Sequence, residues 1–220
     1  MAETIGIIDY GMGNLHSLGK ALERVSSSQR IVISYDAEEL RACDKLVLPG
    51  VGGVKACMSE LKRLELNDLV REQAKQVPLL GICLGMQVLH EWSDENGGVP
   101  ALGLIPGKVV RFPDPAPAAP AGAEARERLK VPHMGWNRVK QSARHALWAT
   151  VPDESWFYFV HSYHSAPRYK KHVLGTADYG QTFAAAVAKD NIAAFQFHPE
   201  KSQAAGMSLL ANFVTWDGKA

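Results

Sequence analysis

At 220 residues the chain is long enough for one large domain and short for two, and 46% hydrophobic content fills a sizeable core. A formal net charge of +1 with no long basic run argues against a nucleic-acid footprint, and no apolar run reaches the length of a membrane span. The N-terminus lacks the basic start and apolar core of a signal peptide. The three cysteines, Cys43, Cys57 and Cys83, form no CxxC pair, so neither a disulfide framework nor a metal site is expected. A cytoplasmic, reducing setting follows, in which a free thiol persists.

Thr4–Asp9 reads as a first buried strand, Gly11–Asn14 as a turn, and Leu15, Leu18, Leu22 and Val25 recur at helical spacing. His16 stands where a dinucleotide fingerprint needs its third glycine, so the turn is read as a βα loop and Asp9 as a turn or capping residue. Arg30–Ser34 is a second strand, Ala37–Leu40 starts a short helix, and Lys45–Leu48 is a third strand that runs into Pro49-Gly50-Val51-Gly52-Gly53. Glycine this dense at a strand end leaves backbone amides open to an anion or a developing oxyanion. One helix is expected from about residue 54 to 75, followed by a covered strand at Pro78–Leu80.

Gly81 and Gly85 then flank Cys83 as Gly-x-Cys-x-Gly, the thiol version of a nucleophile elbow. A cysteine in a βα unit is commonly structural. The paired glycines favour a reactive one, because they let neighbouring backbone approach without a Cβ clash. The turn is expected to leave the sulfur exposed at the top of the sheet. It also sets it at a helix N-terminus, whose partial positive charge favours the thiolate. Strand and helix alternate throughout this half, which argues for a parallel, doubly wound sheet with its sites at the C-terminal strand ends.

The character then changes. Ser93–Gly98 reads as a loop and Gly107–Phe112 as a strand, and the Pro/Ala-rich stretch near 113–125 as a surface insertion within a single domain of residues 1–220. Order resumes at Lys130–Asn137. Trp156–Tyr163, Val173–Ala177 and Phe183–Val187 read as strands, the last two joined by a turn and so antiparallel. An apolar strand from Ile192 ends at His198-Pro199-Glu200, and the terminal helix, about 205–216, turns Leu209, Leu210 and Phe213 inward. In extended chain, residues two apart share a side, so His198 and Glu200 point into one site, with Pro199 holding the segment extended. A cysteine nucleophile needs a base, and the base an orienting group. His161 is the main rival to His198, but only His198 has a carboxylate placed to orient it; His133 suits packing equally well.

With Cys83, His198 and Glu200 in place, the chain resembles the class I, triad-type glutamine amidotransferases. Gly81–Gln87 and Gln196–Glu200 match that family's nucleophile and His-Glu motifs. Within the class it is most similar to the glutaminase subunits of imidazole glycerol phosphate synthase, through Ile8–Leu15, Leu48–Gly52, Pro132–Asn137, Phe159–Tyr163 and His198–Ser202. Gly53-Val54 departs from that pattern, where a small residue and an aromatic are expected, and the stretch from Pro113 to Ala125 is longer than the pattern needs.

The resemblance implies a flavodoxin-like, three-layer α/β fold, mostly parallel with an antiparallel second-half extension. It implies a Cys83–His198–Glu200 triad that hydrolyses glutamine without a cofactor. Val51, Gly52 and Leu84 would supply the oxyanion hole, and Gly50, Gln87, Ser162 and Tyr163 would hold the substrate. The implied partner is a separate cyclase subunit with a (β/α)8 barrel, because the chain reaches Ala220 with no synthase domain, and Asn14, Trp136, Tyr158 and Lys201 would lie near that interface. No nucleic acid or membrane is implied. Competing readings are a glutaminase subunit for anthranilate or aminodeoxychorismate synthase, a cysteine hydrolase of similar architecture, and a degenerate regulatory subunit. The hydrolase would carry histidine just after the nucleophile, where Leu84 stands, and the intact triad argues against degeneracy.

Overall fold

The computed structural model describes residues 3–113 and 130–219, so the Pro/Ala-rich insertion lies, beyond Pro113, outside the described residues. The first half alternates as expected: β1 (Thr4–Ile8), α1 (Leu15–Val25), β2 (Arg30–Ser34), α2 (Ala37–Arg41), β3 (Lys45–Leu48), α3 (Val54–Arg63), α4 (Leu66–Gln73) and β4 (Leu79–Ile82). The single helix expected over 54–75 is two. Glu65 takes a left-handed conformation at φ 58°, which ends α3 and re-aims the chain into α4. Glutamate is a good helix former, so propensity gives no warning of the break.

The four strands lie parallel in the order β2, β1, β3, β4. Their period-two alternation divides the core. Ile5, Ile7, Val47 and Leu80 pack on one face with Leu18 and Leu22 of α1. Ile8, Leu46, Leu48 and Leu79 pack on the other with Leu40, Leu61, Leu69 and Val70 of α2 to α4. Both faces of β1, β3 and β4 are covered, which is why they read as apolar runs, whereas the edge strand β2 leaves Ile33 exposed. Each such fully buried side chain contributes roughly 1.5–3 kcal/mol.

The second half adds α5 (Leu84–Val88), β5 (His90–Ser93), β6 (Val99–Pro100), β7 (Ile105–Arg111), β8 (His133–Gln141), β9 (Ser155–His161), β10 (Tyr163–Pro167), β11 (Val173–Asp178), β12 (Thr182–Lys189), β13 (Ile192–Phe195) and α6 (Gln203–Thr215). β13 pairs parallel with β4 and antiparallel with β12, so it joins the parallel half to an antiparallel extension through β10 and β7. β8 and β9 form an antiparallel pair that branches from the main sheet through β11. The sequence reading did not anticipate β5, β6 or β8 as strands. α6 turns Leu209, Leu210 and Phe213 inward beside α1. No helix among the described residues is long and apolar enough to cross a membrane.

Candidate active site

Parallel pairing of β4 with β13 sets Gly81 beside Ala194 and Ile82 beside Phe195. Both strands therefore end together, and the next residues, Cys83 and Gln196 to His198, emerge at one place. The Cys83 N–H donates to the Phe195 carbonyl at 2.7 Å. Cys83 itself sits at φ 54° and ψ −106°, a strained conformation for a residue with a Cβ. Gly85 allows the tight turn, because a Cβ there would overlap the Leu48 carbonyl oxygen. The elbow is present, but its sulfur is not exposed as expected. Cys83 is only 6% accessible, at a pocket of about 460 Å³ that the Pro49–Gly52 loop and β9–β10 wall in.

His198 follows β13, its N–H donating to the Tyr158 carbonyl at 2.9 Å. Its Nδ1 lies 2.9 Å from Glu200 Oε1, and both side chains are almost fully buried. The expected pairing is real, but its geometry is not the expected extended one. Residues Pro199–Lys201 form a 3₁₀ turn, with Pro199 in its first turn, where a missing N–H is harmless. The Ser202 hydroxyl closes that turn on the His198 carbonyl at 2.6 Å. Burial pushes the His198 imidazole towards neutrality, but the Cys83 sulfur and the Glu200 carboxylate outweigh it and raise its pKa to about 10. Nε2 is buried and makes no hydrogen bond among the described residues. One imidazole nitrogen is thus anchored on a carboxylate, and the cysteine acts on the ring.

The glycine loop lies across the pocket. Gly50 has no room for a Cβ, which would overlap the Tyr10 hydroxyl; that hydroxyl donates to the Pro49 carbonyl at 2.7 Å. Gly52 takes φ 99°, and Val51 is 42% exposed. The Leu84 N–H points at the Gly50 carbonyl, 3.4 Å away. Gln87 donates through Nε2 to the Tyr163 carbonyl at 2.9 Å and to Gln196 Oε1 at 3.2 Å. Ser162 and Tyr163 line the same pocket.

Two further residues belong here that the sequence reading did not assign to the site. Gln196 Nε2 lies 3.9 Å from Cys83 Sγ. Glu95 enters the pocket from the loop after β5, and its Oε2 accepts the Val54 N–H at the start of α3 at 2.7 Å. Ser93–Gly98 read only as a loop, and an acidic residue in it gave no distance to the elbow. The rival His161 is not placed as the base. Burial, chiefly, lowers its pKa to about 3, and its Nδ1 lies 2.8 Å from the Tyr163 carbonyl oxygen.

The four residues expected near an interface divide. Trp136 is 43% exposed, which excludes core packing. It meets Tyr158 edge-on at 6.1 Å, and Lys201 Nζ stands 5.9 Å over the Tyr158 ring. Asn14 is the N-cap of α1, its Oδ1 accepting from the Ser17 N–H at 3.4 Å. Asp9 is a turn residue as expected, accepting the Gly11 N–H at 2.9 Å.

The chain as a whole is similar to known proteins. The imidazole glycerol phosphate synthase subunit HisH of Methylococcus capsulatus is 52% identical over 97% of both chains. HisH 1 of Pseudomonas aeruginosa is 50% identical over the full length of both. Among solved structures, a putative GMP synthase protein from Thermoplasma acidophilum has a TM-score of 0.67 over 97% of this chain and 93% of that one. PurLQS from Thermotoga maritima also gives 0.67, over 97% and 98%. At 18% and 13% identity these two likenesses speak to the fold alone, and they bear out the expected class. The model of the family described as glutamine amidotransferase class-I matches residues 6–216, and with relatives this similar along the whole length, the chain belongs to the class I glutamine amidotransferases.

Proposed function

We propose that this chain is the glutaminase subunit of an imidazole glycerol phosphate synthase, acting in the cytoplasm as one domain and passing ammonia to a separate cyclase with a (β/α)8 barrel. The observation that carries the reading is the meeting of Cys83 and His198 at one pocket, with Glu200 bonded to the far nitrogen of the imidazole, in a chain about half identical to HisH proteins along its length.

The Cys83 thiolate attacks the side-chain amide carbon of glutamine. The carbonyl oxygen takes up the negative charge, and His198 gives the proton on Nε2 to the departing nitrogen. Ammonia leaves and a γ-glutamyl thioester remains. His198, now neutral, takes a proton from water; the hydroxide attacks the thioester, and glutamate is released with the thiolate restored. Glu200, bonded at Nδ1, fixes the ring and stabilises its cation.

The oxyanion needs two N–H donors. Leu84 supplies one and Val51 or Gly52 the other, once the Gly50 carbonyl has swung away from the Leu84 N–H. Gly50, Gln87, Ser162 and Tyr163 hold the rest of the substrate, and the Glu95 carboxylate suits its α-ammonium. Ammonia is useful only unprotonated and undiluted, which calls for a docked synthase. Trp136, Tyr158, Lys201 and Asn14 form the docking surface.

The test is Cys83→Ala in the complex with the cyclase. Glutamine-dependent product formation is expected to vanish while ammonia-dependent formation stays near the parent rate. Loss of both together overturns the role of Cys83, and capture of a chorismate-using enzyme in place of a barrel cyclase overturns the choice of synthase.

A further inference from the structure

Three polar side chains with no part in this chemistry form an unbroken line into the pocket. Asn137 and His133 lie on β8, and His161 stands opposite His133 on β9. Asn137 Nδ2 is 2.8 Å from the Asp178 carbonyl oxygen and 3.3 Å from His133 Nε2. His133 Nδ1 is 2.9 Å from His161 Nε2, and His161 Nδ1 is 2.8 Å from the Tyr163 carbonyl oxygen. That oxygen also accepts from Gln87 Nε2 at 2.9 Å.

Protons fit this line in one order only. Asn137 Oδ1 accepts the Arg138 N–H at 2.8 Å, so with Asp178 on the other side the amide nitrogen must face His133. A neutral imidazole that accepts at Nε2 carries its proton on Nδ1. His133 therefore donates to His161, and His161 donates to the Tyr163 carbonyl. The opposite order would set N–H against N–H at Asn137 and a lone pair against the carbonyl at Tyr163. Aromatic rings enclose the pair: His133 stacks 4.0 Å from Tyr179, and Phe112 and Phe183 each stand 5.2 Å from His161. Burial lowers the pKa of His133 to about 4 and is the main cause lowering that of His161 to about 3. The ionisable neighbours His164 and His198 disfavour charge on His161 further, so both rings stay neutral through the working range.

We propose that His133 and His161 are positioning residues for the substrate, locked in one tautomeric order by Asn137 so that they hold the Tyr163 carbonyl and, through it, the Gln87 amide. The proposal rests on reading this pocket as the glutamine site. With both Gln87 N–H groups engaged, on Tyr163 and on Gln196, its amide oxygen is the atom left for the ligand. Without His161 the Tyr163 carbonyl loses one of two donors, and the Gln87 amide is free to turn.

Two measurements test this. Correlation of ring ¹⁵N and ¹H signals in the full-length parent should find both imidazoles protonated on Nδ1, unchanged between about pH 6 and 8. Steady-state glutamine hydrolysis by the cyclase complex should show His161→Leu raising KM by about tenfold or more, with kcat within about threefold. His161→Asn, whose Nδ2–H stands where the ring Nδ1–H stood, should return KM to within about threefold of the parent. A proton on Nε2 of either ring, equal KM for the Leu and Asn variants, or a loss confined to kcat would overturn the proposal. A parent that hydrolyses no glutamine would instead overturn the function assigned to the pocket, while the spectra would still decide the proton order.

Discussion

The Leu84 N–H and the Gly50 carbonyl face each other at 3.4 Å beside the Cys83 sulfur. The N–H that follows a nucleophile is the donor an oxyanion needs, and here a carbonyl oxygen occupies its direction. At that distance the bond is long for N–H···O, so breaking it sacrifices little. Rotating the peptide after Gly50 would withdraw the carbonyl and turn the Val51 N–H towards the pocket. The torsions that turn are Gly50 ψ and Val51 φ, and Gly52, at φ 99°, fixes the left-handed course of the loop that follows.

Gly52→Ala therefore tests the loop. Its Cβ would stand 2.9 Å from the end of the Met12 side chain, which can yield, so the main penalty is backbone strain of about 1 kcal/mol. The expected result is a small fall in the urea midpoint with kcat for glutamine hydrolysis down at least tenfold, about 1.4 kcal/mol of barrier. A variant with parental kcat would mean that the loop works as it stands.

Cys83 and Glu200 together hold a proton on His198, and this makes stability depend on pH. The folded pKa of His198, about 10, lies above the ordinary imidazole value of 6.5. The native state therefore binds a proton between those values that the unfolded chain has released. The stabilisation is complete below pH 6.5 and is lost as pH rises through 10. Urea unfolding of the parent and of His198→Gln should show their largest gap near pH 6. By pH 10 the gap should shrink by an amount on the order of 4 kcal/mol. A gap that stays constant across this range would show that the imidazole is not held as a cation.

The parallel strands and the elbow were legible in the sequence because burial on both faces and glycine at a close approach leave marks in residue type. Gly85, against the Leu48 carbonyl, is such a mark. The break at Glu65 was not legible, since a left-handed glutamate has no compositional signature. Spacing predicted the meeting of His198 with Glu200, yet for a reason the structure replaces: a 3₁₀ turn, rather than strand alternation, brings the carboxylate to the ring. The burial of Cys83 also escaped the sequence, because the wall that covers it comes from β9 and β10, far along the chain. The same holds for the tie from His161 to Tyr163 and Gln87, whose partners come from separate strands and a helix.

Glu95 is the site residue with the least sequence signal, and its two possible roles separate experimentally. One carboxylate oxygen caps α3 through the Val54 N–H. Gly53 leaves room for the other, since a Cβ there would overlap Glu95 Oε1. This accounts physically for glycine at position 53. Glu95→Gln keeps an oxygen for the Val54 N–H and the same shape, but removes the negative charge that would pair with the glutamine α-ammonium. If Glu95 only caps the helix, the variant should lose a few tenths of a kcal/mol of stability, with KM unchanged. If it binds substrate, KM for glutamine should rise about tenfold or more at near-parental kcat, because the lost contact is made equally in the ground and transition states. We expect the second result. Steady-state kinetics of the cyclase complex, read beside the urea midpoint of the same variant, separates the two, and an unchanged KM would confine Glu95 to the helix cap.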